Sequence, residues 1–334
     1  MASLTTGDLA SKFNSSPFLD IVSGEFLKTL NLFGSGFLAE APDDVVNTGT
    51  FGNMPHWNVD LTAATEISDS SDLVPGEPTT YNDSFIWQEL EYSWSIQELI
   101  NTVAGRSYDG IGEVAKHIGN YWAYQLQSRA LSVLTGVFST ALASSHSTGA
   151  TYAGATVSAP AILAGKFKLG DFANQLSLIV MNSKVYMDAV NNNIVTFPAG
   201  SVGNSTFATG NTGSILGLSP YMDDDLTATS SVYPSYIGGA RSMVFKTRPR
   251  QKAIMNNANF ARTANNIDIE LSRNTALAGG TDIITTRISA MVHVPGVAWD
   301  TTDSSFTAAN LATGSNWSKV GANKEIKVAQ IKTL

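Results

Sequence analysis

The sequence predicts an α+β fold built around one long helix. Three observations carry that expectation. Apolar residues alternate in "HWNVDL" and in "FIWQELEYSW" on either side of a polar stretch, which describes a two-stranded arm. From Ile111 onward, Val114, Ala115, Ile118, Trp122, Leu126, Ala130, Val133, Val137 and Ala141 form a single helical stripe sustained for about thirty residues. Beyond Pro160, short apolar strand runs alternate with short helical ones, the pattern of a mixed α/β unit.

Taken in order, residues 1 to 50 are loosely patterned, with Gly34, Gly36, Pro42 and an apolar patch "FLKTLNLFG", and read as an arm holding one short helix. The hairpin spans 51 to 94. Its tip "EISDSSDLVPGEPTTYNDSF" carries Glu66, Asp69, Asp72, Glu77 and Asp83 and no lysine or arginine. Apolar residues occupy more than one face of the arm, and an isolated hairpin is marginal in water, so the arm must lie on something. Ser95 and Glu98 form a capping box that opens a helix closed by Gly105. The long helix runs from about Ile111 to Ala141. No proline interrupts the chain between Pro78 and Pro160, and the helix extends about 45–50 Å. After the loop "SSHSTGATYAGATVSAP", "AGKFKLGDFANQL" reads as helix and "LSLIVMN" as a buried strand. "SKVYMDAVNNN" is a short helix capped by Ser183, and "SILGLSPYMDDDL" and "SYIGGARSMVF" are strand-like. "TDIITTRISAMVHVPGVAW" is a strand pair broken at Pro295–Gly296, and "NKEIKVAQIKTL" is an alternating edge strand.

Composition excludes several functional classes. The chain has 334 residues, 43% hydrophobic and only 14% charged, so neutral groups must cover much of its surface, as subunit contacts tolerate. A net charge of −8 gives no global nucleic-acid footprint. Without cysteine there are no disulfides, thiolate metal sites or cysteine nucleophiles. "MASLTTGDLASKFNSSPF" lacks the basic and apolar regions of a signal peptide, and no apolar run is long enough to span a membrane. The expectation is a protein made and folded in a cytoplasm.

Catalytic patterns are missing or fail in context. His56, His117, His146 and His293 have no partner at ligand spacing. Asp223, Asp224 and Asp225 could offer oxygens to a divalent cation, but neighbours on a strand point to opposite faces, and a polar strand exit is the simpler reading. "GIGEVA" at 110–115 follows a helix rather than a strand, as a dinucleotide loop would not. Phe167 stands where a phosphate loop ending in Gly165–Lys166 would need Ser or Thr, and no Gly-x-Ser-x-Gly elbow occurs. The sequence therefore predicts no enzyme, no cofactor and no metal.

Charge is segregated along the chain. Between Lys28 and Arg106 only acids occur, and between Asp225 and Asp268 only bases: Arg241, Lys246, Arg248, Arg250, Lys252 and Arg262. Each block could be a solvated face. Alternatively, the acidic arm docks on the basic face of another copy. Candidate contact residues are then Asp69, Asp72 and Glu77 with Trp57, Phe85 and Trp87 on the arm, against Arg241, Lys246, Arg248, Arg250 and Lys252.

This order of parts resembles the major capsid proteins of tailed bacteriophages, the Hong Kong 97-type shell fold. The resemblance rests on "LIVMNSKVYMDAV", "YPSYIGGAR", "TDIITTRISAMVHVPGVAWD" and "FTAANLATGSNWSKVGANKEIKVAQI", although Val294 intervenes between His293 and Pro295. It covers roughly residues 50 to 334. It implies an N-terminal arm at 1–50 and an extended loop at 51–94 lying across a neighbouring subunit. It further implies a peripheral domain with the spine helix at 95–160, an axial domain at 161–280, and closing strands of the peripheral domain at 281–334. The implied partners are the chain itself, in pentamers and hexamers, with scaffold, portal and cement proteins. Packaged DNA would be touched non-specifically and no membrane is involved. The family's lysine–asparagine chainmail needs a lysine on the extended loop, and 51–94 has none. Encapsulin nanocompartments share the fold, and what is packaged, DNA or enzyme, separates the two.

Overall fold

The computed structural model describes residues 16–29, 32, 35–42, 46–57, 80–97, 110–197, 213–249, 260–264, 266–274 and 281–334. The chain begins with helix α1 (Ser16–Thr29) and the short strands β1 (Leu38–Glu40) and β2 (Val46–Thr48). Strands β3 (Phe51–Trp57) and β4 (Thr80–Ile86) form the hairpin, and β5 (Gln88–Gln97) leads toward the long helix α2 (Gly110–Ser139). A mixed region follows: α3 (Ala159–Lys166), a 3-10 segment at Phe167–Gln175, β6 (Leu178–Met181), α4 (Ser183–Asn191), β7 (Val195–Thr196), β8 (Ser214–Ile215), β9 (Ser219–Met222) and β10 (Tyr233–Gly238). Then come β11 (Met243–Arg248), β12 (Phe260–Ala264), β13 (Ile267–Asn274) and the thirteen-residue β14 (Thr281–His293). Strand β15 (Val297–Trp299), a short α5 (Ala308–Leu311), β16 (Trp317–Lys319) and β17 (Val328–Thr333) close the chain.

Helix α2 forms where the stripe predicts it, and the stripe is its buried face. Ala115, Ile118, Trp122, Leu126, Ala130, Val133 and Val137 are buried, and Val114 and Ala141 are half-buried at its margins. Burying each large side chain contributes roughly 1.5–3 kcal/mol. Two glycines set how closely neighbours approach. A Cβ on Gly119 would lie 2.7 Å from the backbone oxygen of Val22, so α1 packs there backbone to backbone. A Cβ on Gly136 would lie 2.6 Å from Trp317 Nε1, which donates to the Leu311 oxygen at 2.8 Å.

Two sheets share α2. In the first, β14 pairs with β13 along Thr281–Ile288 and with β11 along Ser289–His293, while β5 runs along its other edge from Thr281↔Gln97 to Ala290↔Gln88. Ile284, Ile288, Ala290 and Val292 face the α2 core, and Trp122 Nε1 donates to Thr286 Oγ1 at 3.0 Å. The second sheet has the order β17-β10-β6-β9. Its alternation is complete: Leu178, Val180, Tyr236 and Val328 join the α2 core, whereas Ile179, Met181, Ile237, Ala329 and Ile331 pack beneath α3 and α4. Strand β17 is an edge strand as expected but is buried on both faces, because the loop after α2 covers it and Gln330 N donates to His146 O at 2.8 Å. Sheet membership cuts across the expected segments. β11, β12 and β13, from within 161–280, share the sheet of β14, and β17, from within 281–334, shares the sheet of β6 and β10.

Four local expectations are corrected. "FIWQELEYSW" is not one strand: the chain leaves the hairpin at Ile86 and enters the six-stranded sheet at Gln88, with Trp87 N donating to Thr50 O at 2.8 Å. That switch puts Phe85, Ile86, Trp87 and Gln88 all in the interior, which is why the arm looked apolar on both faces. Ser95, Ile96 and Gln97 do not open a helix, because they pair with Ile283, Asp282 and Thr281, and the remainder of that expected helix to Gly105 lies outside the described residues. The cap of α4 is Asn182 rather than Ser183; its side chain accepts from Lys184 N at 2.9 Å. "TDIITTRISAMVHVPGVAW" does break at Pro295–Gly296, but its halves enter different sheets.

The glycines of the helices give a test of the packing. Gly24 in α1 has nothing near a new Cβ, so Gly24→Ala should stabilise the unassembled subunit by about 1 kcal/mol through helix propensity. Gly136→Ala should destabilise it by about 1–3 kcal/mol, since the methyl displaces Trp317 and its hydrogen bond. Urea unfolding of the two variants should therefore shift in opposite directions.

Candidate subunit-contact site

The residues singled out from the sequence fall into three groups. Asp69, Asp72, Glu77, Arg250 and Lys252 lie outside the described residues, as does the side chain of Trp57. Phe85 and Trp87 are a correction. At 1% and 0% exposure they sit with Ala41, Met54, Val244 and Met291 in a core cluster of the chain's own, so their apolar surface is spent inside the subunit. Arg241, Lys246 and Arg248 reach the N-terminal strands of their own chain. Arg241 Nη2 donates to Glu40 O at 3.3 Å and Lys246 Nζ to Pro42 O at 2.9 Å. Arg248 donates through Nη1 to Gly49 O at 2.8 Å and through Nη2 to Glu89 Oε1 at 3.0 Å.

The charge segregation has a structural cause that the register of the first sheet displays. Glu89, Ser289 and Arg248 occupy one row across β5, β14 and β11. Arg248 Nε donates to Ser289 Oγ at 2.9 Å, Ser289 Oγ donates to Glu89 Oε1 at 2.6 Å, and the guanidinium lies 4.4 Å from the Trp87 ring. Two residues along, Arg287 pairs with Glu91 at 3.1 Å and with Glu270 at 2.6 Å. The hydrogen bond that Arg287 donates to Glu270, with the one it donates to Glu91, holds its guanidinium further toward the charged form despite partial burial. One acid of the arm, Glu89, and one base of the later block, Arg248, thus meet within one subunit, on the sheet face away from α2. Between partly exposed groups each such pair contributes only about 0.2–1 kcal/mol. Their main effect is to fix the register of β5.

The base of the hairpin is fastened by a constellation the sequence did not reveal. Asp83, fully buried on β4, accepts from Gly296 N at 2.6 Å through Oδ2, which also lies 3.2 Å from His56 Nε2 and 4.0 Å from His293 Nε2. Gly296 reaches it from a turn with φ +88, a left-handed conformation glycine adopts without strain. Ser84 Oγ donates to Trp299 O at 2.6 Å, and Tyr81 Oη to Glu325 Oε2 at 3.0 Å. The Tyr81 ring stacks on His56 with centroids 5.3 Å apart, and burial and the Glu325 carboxylate raise its phenol well above the ordinary value. Burial lowers the His293 imidazole to about 4, with Asp83 opposing the shift and His56 reinforcing it. His56 and Asp83 could have been noticed as polar residues on an apolar strand pair, but their partners lie more than two hundred residues away in sequence.

The aspartates after β9 hold the turn that leaves it. Asp223 is buried and accepts from Gln127 Nε2 at 2.9 Å and from Asp225 N at 3.1 Å, and Asp224 accepts from Ser183 N at 3.1 Å. Among the described residues no group of three or more His, Asp or Glu could hold a metal ion, and no helix is long and apolar enough to cross a membrane.

The family described as major capsid protein 13-like matches residues 102–328. The chain belongs to that family. A curated relative, the major capsid protein of Bacillus phage SPP1, is 26% identical over 312 residues, covering 90% of each chain. Solved structures of similar fold include the capsid of a native GTA particle (TM-score 0.52, 13% identity, 80% of this chain and 87% of that one). Microbacterium phage Oxtober96 gives a TM-score of 0.51 at 11% identity, covering 88% and 95%, and the capsid of Ralstonia phage GP4 gives 0.51 at 12%, covering 79% and 86%. The capsid protein therefore has the Hong Kong 97-type fold that the sequence resembled.

The buried histidine gives a pH test on this capsid protein. An unfolded chain takes up the His293 proton near pH 6.5, whereas the folded chain does so only near 4. Between those values the unfolded state binds more protons, so stability falls as the pH drops through that window, by about 3 kcal/mol in all. Replacing His293 with Leu should flatten the slope of Tm against pH between 6.5 and 4, whatever it does to stability at pH 7.

Proposed function

We propose that copies of this chain build the closed icosahedral shell that encloses a double-stranded DNA genome, with the shell assembled in the host cytoplasm and carried in the virion. The observation that carries the reading is the family match across two-thirds of the chain, on a fold with hairpin, spine helix and two sheets in the order such shells use. Residues 51–94 serve as the extended loop. The six-stranded sheet with α2 serves as the peripheral part, and the four-stranded sheet with α3 and α4 as the axial part. Pentamers and hexamers of the chain are the capsomers, and scaffold, portal and cement proteins are its further partners. The chain acts as a building element and not as a catalyst, and it touches DNA without reading its sequence. Purified protein, alone or with its scaffold, should form closed particles visible by negative-stain microscopy. Particles recovered from infected cells should contain DNA. Persistent monomers or dimers under all salt and crowding conditions would contradict the shell, and enzyme cargo in place of DNA would mark a nanocompartment instead.

The same reading makes a chemical prediction. The loop 51–94 contains neither lysine nor cysteine, so it supplies neither the amine of a lysine–asparagine isopeptide nor the thiol of a disulfide. Boiled particles should run as monomers on denaturing gels, without multimers whose peptides map to this loop.

A further inference from the structure

Several bases of this acidic chain are spent on its own acids. Arg248 pairs with Glu89, Arg287 with Glu91 and Glu270, Lys116 with Glu113, and Lys184 with Asp188. Lys166, Lys168, Lys319 and Lys327 differ, because among the described residues no carboxylate lies within ion-pair distance of them. All four belong to two segments: the end of α3 with the 3-10 turns after it, and the stretch from β16 to β17. A fifth lysine ties the segments together. Lys324 Nζ lies 2.7 Å from Asp171 Oδ2 and 5.6 Å from the centre of the Phe172 ring. His146 stands behind them, with Nε2 2.9 Å from Asn323 O. Burial lowers its imidazole, and the charges of Lys319 from one segment and Lys168 from the other lower it further, so both segments surround one ring.

The first segment is also apolar where it meets solvent. Leu169 and Ala173 fill the inward positions of the 3-10 turns, and Phe167 and Phe172 are left outside. Phe167 is 62% exposed, the most of any large hydrophobic side chain among the described residues, and Leu163 and Phe172 are exposed beside it in the chain. Apolar groups gathered in this way, rimmed by charge, mark a contact surface rather than scattered surface apolarity.

The two features together choose the partner. Lysines alone would suit the phosphates of DNA, but a duplex offers nothing apolar to Phe167 and Leu163. A second copy presenting the same face would set lysine against lysine. A helix whose apolar stripe is flanked by acids satisfies both features, with its stripe on the phenylalanines and its carboxylates on the lysines. We infer that this lysine-rimmed face docks an acidic amphipathic helix belonging to a different protein. The aromatic contact supplies adhesion, and the lysines speed the encounter and set its direction. The inference goes beyond the shell reading and does not depend on it, since the face is complete on a single subunit.

The test uses the full-length, unassembled chain and a labelled peptide of leucine and glutamate, about five helical turns long, with leucines at helical spacing. Fluorescence anisotropy reads its binding. The peptide should bind, and a scrambled peptide of the same composition, or one with lysine in place of glutamate, should bind at least tenfold more weakly. Phe167→Ser with Phe172→Ser should weaken binding at least tenfold and leave its salt dependence in place. Lys168→Glu with Lys319→Glu should weaken it as much and flatten the salt dependence. Lys184→Glu, the same charge change on α4, should bind as the unmodified chain does. All these positions are on the surface, and unchanged thermal unfolding would show that the variants fold. Equal binding of the striped and scrambled peptides would reduce the face to bare charge and overturn the inference. Equal weakening by Lys184→Glu would do the same. A labelled DNA duplex that bound more tightly than the peptide, and was released by the lysine substitutions, would make the face a nucleic-acid site instead.

Discussion

The burial of α2 along most of its length is the constraint from which the rest of the subunit follows. A helix that offers apolar residues to two sheets at once fixes where both sheets must lie. The core-facing residues of β14 pack on it together with Thr286, and Leu178, Val180, Tyr236 and Val328 bring the second sheet to the same cluster. Glycines at 119 and 136 let α1 and the Leu311–Trp317 segment approach closely. With the helix held on these sides, each sheet keeps its other face for a different use. One face is a ladder of ion pairs. The other is a hydrophobic seat for α3 and α4.

The ion-pair ladder explains a sequence pattern that looked like an intermolecular code. Acids accumulate before residue 100 and bases between 225 and 268, yet Glu89 and Arg248 meet across one row of a single sheet, and Arg287, two residues along, bridges Glu91 opposite it and Glu270 diagonally. Segregation along a chain says little about segregation in space when strands far apart in sequence pair side by side. The same pairing of distant segments lets Arg241 and Lys246 reach Glu40 and Pro42, some two hundred residues earlier in the chain.

What the sequence disclosed was whatever local periodicity controls. The helix stripe, the buried strand "LIVM" and the alternation of β17 could be read directly, because each depends on residues a few positions apart. The sheet change at Trp87 could not, since a strand leaving one sheet for another looks like a strand with two apolar faces. Ser95–Glu98 satisfies the rule for a helix start, but ladder pairing with β14 overrides it through Gln97. The Asp83 constellation was invisible for a third reason: its partners are a backbone amide in a turn and two histidines, and no spacing rule joins residues 56, 83, 293 and 296.

That constellation has a consequence for the order in which the protein comes into being. Asp83 waits for Gly296, Tyr81 for Glu325, and the whole of β5 for β14, so the seat of the hairpin is completed by the last sixth of the chain to leave the ribosome. A truncated or still-growing chain can fold its spine helix, but its hairpin lacks the anchors that set its direction. Only a finished polypeptide therefore holds its hairpin in the posture that Gly296 and Glu325 fix.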